Sequence, residues 1–284
     1  MGSPAAGTPA VILATRPLGE ADLLVVVLTP NDGKVRAAAR HARKSKRRFA
    51  GGLTGGAVGQ AGLVRRSGGG LWRLDSFTPL TDHAAVGRDL TRFAYVAYLC
   101  ELTDVLVVEP EPDPRLFVAL TTALGRTVAQ TPDPAVLRWF ELRLLSGLGL
   151  LPALEHCAVC GEPALNQVAL ARDAVRFDDR RGGVLCSVHG AGASAAAPGP
   201  RPLGWRSAKA VELAASLARI DEPPAWSESG SESGSESGSE SPDPAVRRDL
   251  RDLLRAVLAP HLRRPLRALE FFAQLPKIRV ESDP

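Results

Sequence analysis

Three cysteines and a histidine carry the most specific chemistry in the chain: Cys157 and Cys160 in CAVCGEP, and Cys186 and His189 in GGVLCSVHG. Two residues separate the members of each pair, and twenty-five separate the pairs. A two-residue gap lets both side chains of a pair point inward from one tight turn. Thiolate and imidazole donors from two such turns can close a tetrahedron around zinc. Gly161 and Gly190, one after each pair, ease the turns. A closed set of four ligands makes the zinc structural. The competing readings are a redox pair at Cys157 and Cys160, which lacks a thioredoxin-like strand–helix context, and a three-ligand site with His189 left at the surface. In a third, an open zinc position beside Glu155 or Glu162 would make a metalloenzyme acting on nucleic acid. In a fourth, the zinc knuckle reads a protein or a specific DNA sequence, and the chain is a zinc-containing nucleic-acid-binding regulatory or interaction module. His156 adjoins Cys157, so the two side chains diverge.

The ligands need elements to hold them. VALARDAVRFDD (168–179) and GGVL read as a small ribbon of strands carrying the second pair, so residues 155–190 form a module of their own. Helical patterns flank it. DLTRFAYVAYLCELTDVLV (89–107) spaces apolar residues at helical intervals with Glu101 as the one polar entry, and Cys100 within it reads as a small buried residue. Further helices are expected over 115–130, 135–149, 203–220, 243–262 and 264–275. Asp133-Pro134 and Asp243-Pro244 supply N-caps with proline at the first helical position. AGASAAAPGPRP (191–202) is a linker, and SESGSESGSESGSES (227–241), which has no apolar side chain, is expected to be a disordered loop.

A second chemistry lies near the start of the chain. From Lys34 to Arg48 there are eight basic residues (Lys34, Arg36, Arg40, Arg43, Lys44, Lys46, Arg47, Arg48) and no acid. Residues 1–80 hold twelve Lys and Arg against four Asp and Glu, a net of +8, while the rest of the chain sums to −4. Such a run repels itself and belongs in water or against a polyanion. A phosphate backbone fits best, because the membrane reading lacks an apolar face beside the charge. The supporting elements are strands: AVILA (10–14), ADLLVVVLTP (21–30), the Asn31-Asp32-Gly33 turn, then KVRAAAR, QAGLVRRS (60–67) and LWRLDSFTPL (71–80). Short strands with turn signals between them predict a small barrel or sandwich. Arg65, Arg66 and Arg73 widen the basic surface. Phe49 and Trp72 are candidates to stack on bases or, alternatively, to pack in the barrel.

What is missing also narrows the function. GxxxxGK[ST], GxGxxG after a strand, HExxH and GxSxG do not occur. The expectation is a binding protein rather than an enzyme. No apolar run is long enough to span a bilayer and no export signal is evident, so a cytoplasmic, nucleoid-associated location is expected.

RPLGEADLLVVVLTPNDGKVRAAARHARKSKRR resembles the N-terminal signature of the RecO family of DNA repair and recombination mediators. FELRLLSGLGLLPALEHCAVCGEP is similar to that family's mid-chain helix running into its cysteine knuckle, and RPLRALEFFAQL to its C-terminal helix. The resemblance implies an α+β protein. An OB-fold barrel (1–81) would be followed by a helical domain (82–154 and 191–284, interrupted at 227–241) with the zinc module (155–190) embedded in it. It implies binding of single- and double-stranded DNA and annealing of complementary strands. It also implies work with RecR to load RecA onto strands coated by single-stranded DNA-binding protein (SSB). The chain departs from zinc-bearing members in offering His189 where a fourth cysteine is usual. The family captures the acidic, Phe-ending tail of SSB in an apolar pocket with a basic lip. Arg138 and Arg143 in LRWFELRLLSGLG are the candidates for that lip; the alternative is that Trp139, Phe140 and Leu144 are core and both arginines are solvated.

Overall fold

The computed structural model describes residues 7–45, 48, 49, 52–65, 70–80, 86–191, 204–226 and 241–281. The basic residues Lys46, Arg47 and Arg66 lie outside them, as do most of the 191–202 linker and residues 227–240 of the Ser-Glu-Ser-Gly repeat. The chain forms two compact units, Met1–Pro132 with Arg263–Pro284, and Asp133–Leu262. This division cuts across boundaries drawn at 81, 154 and 190.

Five strands open the first unit: β1 (Thr8–Leu18), β2 (Asp22–Thr29), β3 (Gly33–Ala39), β4 (Val58–Val64) and β5 (Trp72–Pro79). They close into a barrel in the order β1-β2-β3-β5-β4. All pairings are antiparallel except a short parallel contact of Ala37 and Ala38 with Trp72 and Arg73, which gives the barrel an OB-like topology. Alternation decides the inside. Val35, Ala37 and Ala39 of β3 enter the core with Ile12, Val25, Val27, Leu74 and Phe77, while Arg36 points out. The β2–β3 turn needs Gly33: its φ is +66°, and a Cβ there would collide with the backbone of Glu111.

Two helices follow, α1 (Leu90–Leu106) and α2 (Pro114–Ala129). Asp89 caps α1 by accepting from the amides of Thr91 and Arg92, and Asp113 caps α2 in the same way with Pro114 behind it. Cys100 is buried within α1, where burial pushes its thiol up to about 12.

The second unit begins with α3 (Pro134–Gly147), capped by Asp133. Then come a short helix α4 (Gln167–Arg172), strands β6 (Val175–Asp178), β7 (Gly183–Leu185) and β8 (Trp205–Arg206), and helices α5 (Ala208–Arg219) and α6 (Pro244–Leu258). The expected all-strand ribbon is corrected in two places. QVALAR is helical because Asn166 caps it at Ala169 N (3.0 Å). Trp205-Arg206, expected inside a helix, instead pairs with Val175 and Arg176 of β6. Ser207 then starts α5 by accepting from Ala210 N at 3.2 Å. The core of this unit gathers Trp139, Phe140, Leu142 and Leu144 of α3 with Leu250, Leu253 and Leu254 of α6, and Trp139 donates its indole N–H to Ile220 O at 3.0 Å.

The last helix, α7 (Arg267–Glu281), belongs to the first unit and packs on α1. Phe271 meets Phe93 edge-on at 5.7 Å, and Phe272 meets Tyr95 at 5.5 Å. Glu101, the polar break in the α1 pattern, holds the start of α7: its carboxylate accepts from Ala268 N at 2.9 Å and from Arg264.

Candidate nucleic-acid interface and metal centre

The metal-type donors are assembled by a strand and two turns. Ala153 N donates to Gly182 O and Val184 N to Ala153 O, both at 2.9 Å, so the segment before the first cysteine pair runs alongside β7. β7 leads directly into the second pair, and Ala158 N bonds to Val184 O at 2.9 Å, drawing the two turns together. Each turn closes in the same way, Gly161 N onto Cys157 O at 2.9 Å and Gly190 N onto Cys186 O at 2.8 Å. Gly161 has φ +75°. At Gly190 a Cβ would stand 3.0 Å from Cys186 O. Both glycines therefore answer a steric need.

The donor atoms of Cys157, Cys160, Cys186 and His189 lie within 4.8 Å of one another. Cys160 and Cys186 sulfurs are 3.8 Å apart, and His189 Nδ1 is 3.3 Å from Cys186 Sγ and 3.7 Å from Cys157 Sγ. Zinc–sulfur and zinc–nitrogen bonds of about 2.3 and 2.0 Å in a tetrahedron give edges of about 3.8 Å between sulfurs and about 3.5 Å from sulfur to nitrogen. The four groups fit such an ion.

Backbone amides also favour the thiolate form. Burial raises the Cys157 thiol, but N–H groups of Cys186, Val159 and Cys160 outweigh it and bring it down to about 6. Cys186 is lowered first by the His189 amide. Cys160 receives the Glu162 amide, yet burial and the neighbouring Cys157 and Cys186 leave it raised overall. The Cys186 and Cys157 sulfurs raise the His189 imidazole. Cys157 is buried, Cys186 and His189 are half-buried and Cys160 is exposed. His156 sits in a bridge with Pro163, outside the set.

The basic run divides into two groups. Lys34 and Arg36 lie on the outer face of β3, but Lys34 is buried with its Nζ 3.5 Å from the Asp104 carboxylate, and Arg36 Nε pairs with Glu109 at 2.8 Å. Burial lowers the Lys34 ammonium below its ordinary value although Asp104 and Glu109 pull it upward. Lys34, expected at the phosphate surface, is instead buried against Asp104 at the end of α1, whereas Arg36 stays exposed on that surface while pairing with Glu109. Arg40, Arg43, Lys44 and Arg48 remain exposed. They form an arch pinned to the β1–β2 turn: His41 N donates to Asp22 Oδ1 at 2.8 Å, Arg43 N to Ala21 O at 3.2 Å and Arg43 Nη1 to Glu20 O at 3.1 Å. Phe77 N donates to Arg48 O at 2.9 Å, so the arch leaves β3 beside the start of β5 and rejoins β5 further along. Arg65 and Arg73 are exposed at the β4–β5 connection, Arg73 pairing with Asp75 at 2.7 Å.

Of the two aromatic candidates, Phe49 is a core residue, 4% exposed and bridged to Phe77, so it cannot stack on a base. Trp72 is half-buried, with the Arg65 guanidinium 6.0 Å from its ring centre.

The arginines of α3 do not form a lip. Arg138 is 11% exposed and pairs with the fully buried Glu141 at 2.8 Å, Arg143 turns to Asp221, and Trp139, Phe140 and Leu144 are core. Periodicity did not reveal a cavity of about 1170 Å³ in the first unit, walled by Leu13, Phe93, Val96, Ala97 and Phe271, with Arg16 and Arg267 exposed at its edge.

Comparison with known families decides the relationship. The profile of the recombination protein O N-terminal domain matches residues 5–81, and that of its C-terminal domain matches residues 87–222. The chain belongs to the RecO family. It is similar to the protein named DNA repair protein RecO in Anaeromyxobacter dehalogenans strain 2CP-C, with 36% identity over 93% of this chain and 94% of the relative. The like-named proteins of Myxococcus xanthus and Geobacter metallireducens are each 32% identical over 94% of this chain, covering 96% and 97% of their own length. The N-terminal match takes in β1–β5 with the whole cationic arch, and the C-terminal match contains all four metal-type donors. Among the described residues no helix is long and apolar enough to cross a membrane.

Proposed function

We propose that this RecO-family chain is a DNA repair and recombination mediator of the RecF pathway that binds single- and double-stranded DNA and anneals complementary strands. With RecR it would help load RecA onto SSB-coated single strands. The observation that carries the reading is the cluster of exposed cations, Arg40, Arg43, Lys44, Arg48 and Arg65, on a barrel of OB-like order. Cations that neutralise phosphates release counterions, so the attraction is strong, salt-dependent and indifferent to sequence. Screening the repulsion between two strands lets base pairing supply the driving free energy. No bond chemistry is needed, and the protein acts without being an enzyme. The four-donor cluster holds zinc as a structural ion that fixes the two turns against β7. The chain works among nucleic acid in the cytoplasm.

The acidic tail of SSB is assigned to the cavity between β1, α1 and α7 rather than to α3. Phe93 and Phe271 offer an apolar wall for a terminal phenylalanine. Of the charged lining, Arg264 is paired with Glu101 and Asp104, so Arg16 and Arg267, with Glu270 beside them, offer the cations for its carboxylates. Annealing of complementary oligonucleotides, bare and SSB-coated, across a salt series tests the whole reading. The expected result is acceleration at low salt on both substrates, and the absence of acceleration on bare strands would overturn it.

A further inference from the structure

Trp72 stands at the point where the cationic arch leaves the barrel. The parallel contact sets Trp72 and Arg73 beside Ala37 and Ala38, and Arg40 follows directly after the end of β3. Like Leu23, Ala42 and Leu63, Trp72 packs against the barrel core and is only half-buried. The Arg65 guanidinium lies over the ring at 6.0 Å. Arg65 is exposed and forms no ion pair with another described residue. A planar cation over an indole occupies the kind of position that a nucleobase takes when it stacks.

Resting on the DNA-binding reading above, we propose that Trp72 is a stacking platform for one unpaired nucleobase. Arg65 swings from the ring to cap the base or its phosphate while the strand's backbone runs along Arg40, Arg43, Lys44 and Arg48. A duplex cannot use this platform, because its bases are already paired and stacked. Phosphate contacts serve both forms of DNA, whereas the platform adds affinity for the single strand alone. Trp72 is therefore the residue that discriminates the two.

The test measures binding of labelled oligo-dT and of a labelled duplex to the full-length chain at fixed salt, for the unaltered protein, Trp72→Leu and Trp72→Phe. Loss of one base–aromatic stack corresponds to roughly 5- to 150-fold in affinity. Trp72→Leu is expected to weaken oligo-dT binding within that range and duplex binding by less than about twofold, with Trp72→Phe restoring most of the loss. A strand of equal length lacking bases provides a readout that needs no variant. The unaltered chain should bind it more weakly than oligo-dT. Equal affinity for the two strands, or an unchanged dT affinity in Trp72→Leu, would overturn the platform while leaving the phosphate-binding arch intact. Failure of the unaltered chain to bind any of these nucleic acids would overturn both.

Discussion

Lys34 and Asp104 form a buried pair that takes a cation out of the basic strand: Lys34 Nζ donates to the Asp104 carbonyl at 2.5 Å and lies 3.5 Å from its carboxylate. The two side chains are 6% and 12% exposed, so the pair is largely desolvated. Removing one partner of such a pair costs about 3–5 kcal/mol, because the other charge stays buried and uncompensated. Asp104→Ala should therefore lower stability in denaturant unfolding by that order. Lys34→Met leaves Asp104 with the Arg264 guanidinium 3.9 Å away, so it should lower stability less and leave DNA affinity unchanged. A strong loss of DNA binding in Lys34→Met would return this lysine to the interface.

The arch behaves differently. Arg40→Glu and Lys44→Glu should leave folding intact, since both side chains are exposed. They should weaken single-strand and duplex binding together. Each lost phosphate contact should flatten the slope of log K against log salt by about 0.7 for single strands. Titrations at several salt concentrations would show it.

Glu101 makes the first unit acid-sensitive. Burial raises its carboxyl, but the Ala268 amide, Arg264 and the Arg267 amide together hold it below the ordinary carboxylate value. A depressed carboxyl contributes stability that is fully present above the unfolded-state value and is lost as pH falls through the folded-state value. The contact of α7 with α1 should therefore weaken from just below the ordinary carboxyl range downward. Glu101→Gln should be less stable than the unaltered protein at pH 7, and the difference should shrink in acid. Thermal melting at both pH values measures it; a difference independent of pH would contradict the assignment.

Metal removal should act on the second unit. The purified protein should carry about one zinc per chain, since the four donors match one tetrahedral ion. Chelation should lower the melting temperature and expose Cys157 to thiol reagents. His189→Cys should retain the ion. A protein that holds less than half an equivalent and melts unchanged after chelation would exclude a structural zinc.

Charge reversal at the cavity edge separates the two candidate tail sites. Arg267→Glu should weaken binding of an acidic peptide ending in phenylalanine to the full chain, because that exposed arginine stands beside Phe271. Arg138→Glu should instead destabilise the fold, since Arg138 pairs with the fully buried Glu141. Calorimetric titration of the peptide distinguishes them.

Local signals carried much of this molecule. The Asn31-Asp32-Gly33 turn, the alternation of Val35, Ala37 and Ala39, and the aspartate–proline starts of α3 and α6 are each set by residues close in sequence. The ligand spacing is equally local within each pair, and β7 does the rest. What escaped was long-range. Nothing near Lys34 shows that an acid seventy residues on will bury and neutralise it. Phe49 follows a basic loop, where sequence leaves stacking and core packing equally open, and the closed barrel takes it inside. The return of α7 to α1 rests on Glu101 meeting Arg264 and Ala268, more than 160 residues apart in sequence. Only the odd carboxylate in an apolar stripe hinted at it.

The most direct test of the account is the affinity of the full-length chain for single-stranded oligonucleotides of different sequence across a salt series. Five exposed cations on the arch and at Arg65 predict a log–log slope of about −3 to −4 and near-equal affinity for every sequence. No binding in dilute buffer, or a flat salt dependence with marked sequence preference, would contradict it.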